Sequence, residues 1–139
     1  AESGVPVAAL VEAAAAKGLF LPLPAWPGTL GGLLATRPWP GLRDHILGMR
    51  VLLGNGDVIE LGGKTVKNVA GYDLQRLLLG SWGGYGIVLD ATLKAYSVPV
   101  DLPRTLPVPR PFSPNDWHRR LKKAFDPNGI MNPGALLDA

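Results

Sequence analysis

The residues best suited to chemistry stand in one glycine-containing loop, between a predicted β-hairpin and a short predicted helix. They are Lys67, Tyr72 and Asp73, and side chains of these types serve as general acids and bases. A simpler interpretation, which we favour, is that Asp73 caps the helix, because aspartate accepts hydrogen bonds from the free amides of a first helical turn. The sequence leaves both interpretations open.

The two histidines lack the neighbours that a metal site or a nucleophilic centre needs. His45 precedes a predicted strand and His118 lies on a predicted helix, and neither has a partner at metal-ligand spacing. Asp44 beside His45 could form half of a proton-transfer pair, but no nucleophile accompanies it. The chain has no cysteine, which excludes a thiol nucleophile, a disulfide and a cysteine-ligated metal. We therefore favour structural roles for both histidines.

Several glycine-rich segments match phosphate-binding motifs only in part. Gly63-Lys64-Thr65 resembles the end of a P-loop, but the glycine required five residues earlier is replaced by Val58. Gly54-Asn55-Gly56 and Gly83-Gly84-Tyr85-Gly86 lead into strands and lack the strand–turn–helix setting of a dinucleotide site. Gly28-Thr29-Leu30-Gly31-Gly32 is a tight stretch whose glycines allow another group to approach closely. Together these segments indicate a phosphate- or nucleotide-bearing ligand without identifying it.

The elements that must position these residues follow from hydrophobic periodicity and from glycine and proline punctuation. Apolar runs on either side of Asn55-Gly56 predict a β-hairpin, since Asn-Gly readily takes the positive φ angles of a tight turn. Segments 28–32 and 37–43 are expected in loops. The predicted elements, in chain order, are a helix over 6–17, strands over 46–53 and 57–61, a helix over 73–79, a strand over 87–98 and a helix capped by Ser113.

Two of these elements carry expectations about which side chains face the core. In the strand over 87–98, alternation places Val88 with Asp90 on one face and Leu89 with Ala91 on the other. In the C-terminal helix, an apolar face is expected to pack inward while the basic residues face solvent. That apolar face comprises Trp117, Leu121, Ala124 and Phe125.

Composition places the chain among globular proteins of one domain. It has 139 residues, of which 47% are hydrophobic, and this apolar content argues against a disordered chain. No apolar run reaches the ~18 residues that a membrane-spanning helix needs. The net charge is +3, and residues 94–124 hold seven basic and two acidic residues. A solvated helix face explains this excess better than nucleic-acid binding does, because no nucleic-acid motif accompanies it.

Three segments, in this order, resemble the FAD-linked oxidases of the vanillyl-alcohol oxidase/p-cresol methylhydroxylase (PCMH) superfamily. They are the glycine stretch extended to Ala35, the stretch from Val51 to Val98, and the terminus from Phe125 to Gly134. The middle stretch contains two motifs, Lys67-Asn68-Val69-Ala70-Gly71-Tyr72-Asp73-Leu74 and the segment from Gly80 to Lys94. The sequence of the first motif is most similar to that of the E subunits of bacterial glycolate oxidases. Together with the residues between them, the similar segments run from residue 28 to residue 134.

The resemblance implies an α+β fold, the second subdomain of a PCMH-type FAD-binding domain, with an antiparallel sheet flanked by helices. Residues 1–98 are expected to form the C-terminal part of that domain. Residues 99–113 form a proline-rich connector where the family has a substrate cap, and residues 114–139 a helix and tail that return to the domain. The family's first subdomain, with its own pyrophosphate loop, is expected to precede residue 1.

The resemblance also implies FAD as the cofactor and assigns residues to it. The glycine stretch is expected to face the ribityl chain and pyrophosphate with backbone amides, the start of the strand over 87–98 to face the adenine, and the terminus to lie near the flavin. It assigns no catalytic residue. The implied FAD-binding residues are Gly28, Thr29, Gly31, Gly32, Ala35, Ile87, Val88 and Asn132.

The function that the resemblance implies is oxidation of a 2-hydroxy acid by hydride transfer to FAD, in a glycolate oxidase-like complex. The expected partners are a larger FAD-containing subunit and an iron–sulfur subunit. The chain is expected to associate with itself. It is not expected to bind nucleic acid. The expected location is cytoplasmic, with contact to the inner membrane made through partners. The isolated chain is expected to be inactive. The alternative is a degenerate structural subunit that keeps the fold without the flavin.

Overall fold

A computed structural model of the chain describes residues 1–63, 74–109 and 113–134. Helices flank a three-stranded sheet in this part of the chain, in keeping with the α+β class. A 3₁₀ turn over Pro40–His45 leads into the first strand. The helices are α1 (Val7–Ala15), α2 (Leu30–Thr36), α3 (Leu74–Leu78) and α4 (Asp116–Phe125), and the strands are β1 (Ile46–Leu53), β2 (Val58–Gly62) and β3 (Gly86–Leu93).

The sheet is antiparallel, with the order β2-β1-β3. The predicted hairpin between β1 and β2 is confirmed: the Leu53 N–H donates to the Asp57 carbonyl at 2.8 Å. Gly56 takes the positive φ of 90° that closes the turn. The N-terminal residues extend the sheet, because Glu2 bridges Asp90 on the free edge of β3.

A β-bulge in β3 changes the faces expected from simple alternation. Arg50 pairs with Asp90 but Val51 pairs with Val88, so the register shifts by one residue at Leu89. The extra residue turns Val88 toward the core together with Ala91. The expectation that Val88 shares a face with Asp90 is therefore wrong. The strand is also shorter than expected and ends at Leu93.

The glycine stretch that was expected in a loop instead begins α2. Leu30, Leu33 and Leu34 are completely buried, and their spacing requires a helix that sets all three against the sheet. Burial of these three side chains outweighs the low helix propensity of Gly31 and Gly32. The tertiary contacts thus decide the local conformation.

Helix α4 differs from expectation at its start and in its orientation. Its N-cap is Asn115, which forms a capping box with His118, and Ser113 lies before the helix. Trp117 is 63% exposed, whereas Lys122 is 2% exposed and lies in the interior. The expected inward packing of Trp117 is wrong because the core-facing side of the helix includes a lysine.

Lys122 is tolerated in the interior because its ammonium group is fully used. Its Nζ donates to Asp126 Oδ2 at 2.6 Å, to the Gly84 carbonyl at 2.7 Å and to the Met131 carbonyl. Asp126 also accepts from the backbone amides of Ile130 at 3.0 Å and Met131 at 2.8 Å. The Lys122–Asp126 pair therefore joins α4 to the 80–86 loop and to the C-terminal turn.

The β1–β2 hairpin packs against the same pair. The Gly54 N–H donates to the Phe125 carbonyl at 3.2 Å, and a Cβ on Gly54 would lie 2.3 Å from Asp126 Oδ1. Glycine is required here because any side chain would displace the carboxylate. Burial alone would raise the pKa of Asp126, but the bonds from Lys122, Met131 and Ile130 outweigh it and lower the pKa below its usual range.

We expect Lys122→Met to lower the free energy of unfolding by about 3–5 kcal/mol, because it leaves the buried Asp126 carboxylate without its counter-ion. Lys123→Met makes the same change at an exposed position of α4 and should change stability by less than about 0.5 kcal/mol. Urea unfolding followed by circular dichroism measures both. Equal stability of the two variants would contradict the role given to Lys122.

Asp126 should also contribute to the pH dependence of stability. Its folded-state pKa is lowered, so its contribution is fully present above its unfolded pKa of about 3.9 and is lost as the pH falls through the folded value. The wild type should lose stability more steeply than Asp126→Asn as the pH is lowered below about 5. Asp116→Asn, at an exposed position of α4, is the control and should follow the wild type. Urea midpoints that fall in parallel for wild type and Asp126→Asn would contradict this.

Candidate functional site

The candidate site is built around the first turn of α2. Thr29 caps this helix, and its hydroxyl accepts the Gly32 N–H at 3.3 Å. The buried leucines of α2 lie beneath the turn and fix it on the sheet. Thr29 itself stays exposed. The Thr36 hydroxyl donates to the Gly32 carbonyl at 2.8 Å and holds the following turn.

The backbone amides of this turn are used within the chain. The Leu30 N–H donates to the Val5 carbonyl at 2.9 Å, and the Gly31 N–H donates to the Ser3 carbonyl at 2.8 Å. A Cβ on Gly31 would lie 3.0 Å from the Ser3 Cβ, so the N-terminal segment explains why glycine stands there. The resemblance implies that these amides face a cofactor anion. They can do so only if their bonds to Val5 and Ser3 open.

Trp26 is the residue at this site that the sequence analysis missed. Its indole Nε1 is buried and has no hydrogen-bond partner in the described residues, a state it shares there only with the Tyr85 hydroxyl. A Cβ on Gly28 would lie 3.0 Å from this Nε1, and one on Gly32 3.9 Å. The indole therefore packs closely against the backbone of Gly28, where a Cβ would crowd its Nε1. The only sequence signal was a tryptophan set directly before Pro27-Gly28.

An apolar groove opens beside Trp26, with a volume of about 700 Å³. Its walls come from one side of α1 and from the proline-rich segment that leads to Gly28. Glu12 is the charged residue among its lining side chains. The lining residues are Val7, Ala8, Val11, Glu12, Ala15, Leu23, Pro24, Ala25, Trp26 and Pro27.

The 80–86 loop is bonded to the C-terminal half of α2. The Gly80 N–H donates to the Leu34 carbonyl at 3.0 Å, and the Trp82 N–H donates to the Ala35 carbonyl at 2.9 Å. Trp82 takes a positive φ of 56°, between Gly80 and Gly83, which also have positive φ. The glycines around Trp82 therefore give the loop the left-handed turns that bring it onto α2.

Asn132 joins the C-terminal turn to the same loop. Its side-chain amide donates to the Trp82 carbonyl. The Trp82 N–H bonds to Ala35 and the Trp82 carbonyl bonds to Asn132, so Trp82 links the C-terminal turn to α2. The Lys122–Asp126 pair holds the turn that carries Asn132, through the bond from Lys122 to Met131.

Ile87 and Val88 lie at the start of β3, directly after this loop, and α2 packs against β3. Ile87 is 50% exposed, while Val88 packs against the core. The structure therefore places the implied FAD-binding residues on three neighbouring elements. Their contact with FAD remains a prediction.

Of the other candidate residues, the structure describes the two histidines, and neither joins this site. Lys67, Tyr72 and Asp73 lie outside the described residues. His45 stacks on Trp39 with ring centroids 5.5 Å apart, and its Nδ1 is 3.1 Å from the Tyr96 hydroxyl.

The surroundings of each histidine indicate a structural role. Burial lowers the pKa of His45, and the charge of Lys94 lowers it further. The Nδ1 of His118 accepts the Asn115 N–H at 3.1 Å in the cap of α4.

Metal and membrane features were sought in the part of the chain that the structure describes. No group of three His, Asp or Glu side chains in this part could hold a metal ion. None of its helices has the length and apolar character needed to cross a bilayer.

Two family models match the chain at its two ends. Residues 1–62 match an FAD binding domain, and residues 109–136 match the C-terminal domain of FAD linked oxidases. The first match contains α1, α2 and the β1–β2 hairpin, and the second contains α4 with the Lys122–Asp126 pair. FAD is the cofactor that both models indicate.

Three curated relatives are similar to this chain over about 70% of its length. Glycolate oxidase subunit GlcE of Escherichia coli (strain K12) is 38% identical over 110 residues, which are 71% of this chain and 31% of that protein. Subunit GlcD of Bacillus subtilis (strain 168) is 38% identical over 109 residues, 70% of this chain and 23% of that protein. The mitochondrial D-lactate dehydrogenase (cytochrome) of Arabidopsis thaliana is 37% identical over 106 residues, 70% and 19% respectively.

A solved structure of alkyldihydroxyacetonephosphate synthase has a similar fold, with a TM-score of 0.57 and 27% identity. The match covers 70% of this chain and 19% of that one. The chain thus spans between a fifth and a third of the length of these relatives. The family models, the relatives and the α+β fold agree. At both ends and in its fold the chain is similar to the FAD-linked oxidases, and two of these relatives are glycolate oxidase subunits.

Proposed function

We propose that this chain forms part of the FAD site of a glycolate oxidase-like enzyme that oxidises a 2-hydroxy acid. The names of the relatives support the substrate class, because glycolate and D-lactate are both 2-hydroxy acids. The alternative of a flavin-free structural subunit is not favoured, since the family models at both ends describe FAD-linked proteins.

The observation that carries the proposal is the chain of bonds that ties the 80–86 loop and the C-terminal turn to α2. The Trp82 N–H bonds to the Ala35 carbonyl, and the Trp82 carbonyl accepts the Asn132 side chain. Residues 35, 82 and 132 are distant in sequence, and the buried Lys122–Asp126 pair keeps the last of them in place.

The residues present also fit part of an FAD molecule. FAD has flat ring systems linked by a polar chain, so it needs apolar walls together with a few placed polar groups. The groove beside α1 supplies the walls, and the Trp26 Nε1 supplies a buried donor that lacks an acceptor among the described residues. Gly28 packs against that donor without the Cβ that would crowd it.

In this proposal Trp26 and the Gly28–Gly32 segment hold part of the cofactor, and Asn132 fixes the loop against which it lies. When bound, FAD accepts the hydride from the substrate. The described residues of this chain bind and orient the cofactor, and the apolar groove excludes water.

The proposed partners are a larger FAD-containing subunit and an iron–sulfur subunit, because two of the relatives are named as subunits of a glycolate oxidase. We place the assembly in the cytoplasm, with any membrane contact made by those partners. Without them the chain is expected to hold FAD weakly and to oxidise no 2-hydroxy acid.

The cofactor role is tested by titrating the chain with FAD up to about 1 mM, a concentration that detects binding energies of about 4 kcal/mol. We expect saturable binding and a rise in melting temperature, because FAD should bind the folded chain only. Trp26→Phe keeps the ring but removes the donor, and should weaken FAD binding about two- to tenfold, the equivalent of about 0.5–1.5 kcal/mol.

Trp39→Phe is the matched control, because Trp39 is also half-buried but stacks on His45. Its FAD affinity should equal that of the wild type. Equal affinities of the Trp26→Phe and Trp39→Phe variants would remove Trp26 from the site. A wild-type chain without saturable FAD binding would contradict the proposed cofactor role.

The substrate class is tested on the assembly purified with its partner subunits. Glycolate or D-lactate, added without oxygen, should bleach the visible absorbance of the bound flavin, since oxidation of the acid reduces FAD. An assembly that contains FAD on this chain but is reduced by neither acid would overturn the substrate class and leave the cofactor role standing.

A further inference from the structure

The outward face of α4 combines an exposed aromatic ring with exposed cations. Trp117, Arg120 and Lys123 are spaced three residues apart, so each neighbours the next along the helix surface, and all three are exposed. Arg119 lies on the flank and pairs with Asp116 at 2.9 Å. Tryptophan and arginine are the residues most enriched at the energetic centres of protein interfaces. We define Trp117, Arg120 and Lys123 as the helix face.

The outer surface of the sheet carries the opposite charge. Glu60, Arg50 and Asp90 are directly paired across the three strands, and Glu2 extends the row by bridging Asp90. Cross-strand partners share one side of a sheet. Arg50 bonds to Asp90 through its Nε at 2.7 Å, so three carboxylates surround one guanidinium and the row is acidic.

An apolar row lies next to the acidic one. Val58, Leu52 and Ile87 are paired across the strands, two positions along β1 from Arg50. Val58 is 51% exposed and Ile87 is 50% exposed. The bulge in β3 creates this row, because it turns Ile87 outward in line with Leu52. We define the acidic and apolar rows together as the sheet face.

The two faces complement each other in charge and in apolar content. The exposure of Trp117, Val58 and Ile87 shows that the faces do not cover each other within one molecule. A membrane surface is a weaker match for the helix face, because lipid-binding segments usually cluster four to eight cations. The sheet face of a second copy supplies both the carboxylates for Arg120 and Lys123 and an apolar row for the Trp117 ring.

We propose that copies of this chain associate head to tail, with the helix face of one copy packed on the sheet face of the next. The two surfaces differ, so the contact is heterologous and builds a closed ring or an open chain rather than a symmetric dimer. This association does not rest on the proposed oxidase activity, although its sheet face includes Ile87, which the resemblance assigns to FAD.

Sedimentation velocity at several protein concentrations tests the proposal. The wild type should form species larger than a monomer at about 0.1 M salt. Association should weaken about tenfold or more at about 1 M salt, where the Debye length falls to about 3 Å. A wild type that remains monomeric at low salt and at the highest soluble concentration overturns the proposal.

Two double variants identify the faces. Arg120→Glu with Lys123→Glu inverts the helix face, and Glu2→Lys with Glu60→Lys inverts the charge of the sheet face. Each variant alone should be monomeric. Mixing the helix-face variant with the sheet-face variant should restore association, because each retains one intact face that fits the intact face of the other and the two inverted faces are again opposite in charge.

The control variants carry the same charge changes at exposed positions outside both faces: Lys17→Glu with Arg104→Glu, and Glu12→Lys with Asp101→Lys. Both should associate like the wild type. Circular dichroism shows whether each variant is folded, and Trp117→Ser offers a second, uncharged disruption of the helix face. Face variants that associate as strongly as their controls, or a mixture that does not associate, would overturn the head-to-tail contact.

Discussion

A single buried ion pair determines how the C-terminal part of this chain meets the rest. The Lys122 ammonium and the Asp126 carboxylate lie 2.6 Å apart in the interior. Removing two charges from water is costly unless each finds further hydrogen bonds. Lys122 donates hydrogen bonds to the carbonyls of Gly84 and Met131, and Asp126 accepts hydrogen bonds from two backbone amides. Meeting this requirement forces helix, loop and tail into one arrangement.

The arrangement of α4, the 80–86 loop and the C-terminal turn around the ion pair also determines the geometry of the candidate cofactor site. The C-terminal turn held by the pair carries Asn132, whose side chain bonds to the 80–86 loop, and this loop bonds to α2. Helix α2 in turn has its first amides bonded to the N-terminal segment. Helix α2, which follows the groove-lining segment in sequence, is therefore held by parts that are distant in sequence but tied by specific bonds. Such support is what a site for a large cofactor needs.

The sequence was informative where one local signal dominated. The β1–β2 hairpin follows from apolar runs around Asn55-Gly56, and α1 follows from an alanine-rich stretch that ends before Gly18. It was misleading where tertiary contacts decide. Burial of three leucines turned an expected glycine loop into α2, and one bulged residue in β3 exchanged the expected faces of the strand. Neither can be read from periodicity alone.

Helix α4 shows the same limit most clearly. Hydrophobic periodicity assigns a tryptophan to the core and a lysine to solvent, yet Trp117 is exposed and Lys122 is buried. The lysine's partners, Gly84 and Met131, come from other segments, so the compensation is invisible in the helix sequence. The order of the family motifs predicted the FAD-linked oxidase family correctly. It gave no indication of Trp26, whose importance depends on the absence of a partner in the folded chain.

Amide hydrogen exchange tests whether the Lys122–Asp126 pair holds the 80–86 loop of the candidate site. The Gly80 and Trp82 amides, bonded to Leu34 and Ala35, should lose about tenfold or more protection in Lys122→Met, beyond any loss in the central strand β1. Lys123→Met should leave both amides as protected as in the wild type. If the Gly80 and Trp82 amides in Lys122→Met lose no more protection than the amides of β1 do, the Lys122–Asp126 pair does not position the loop.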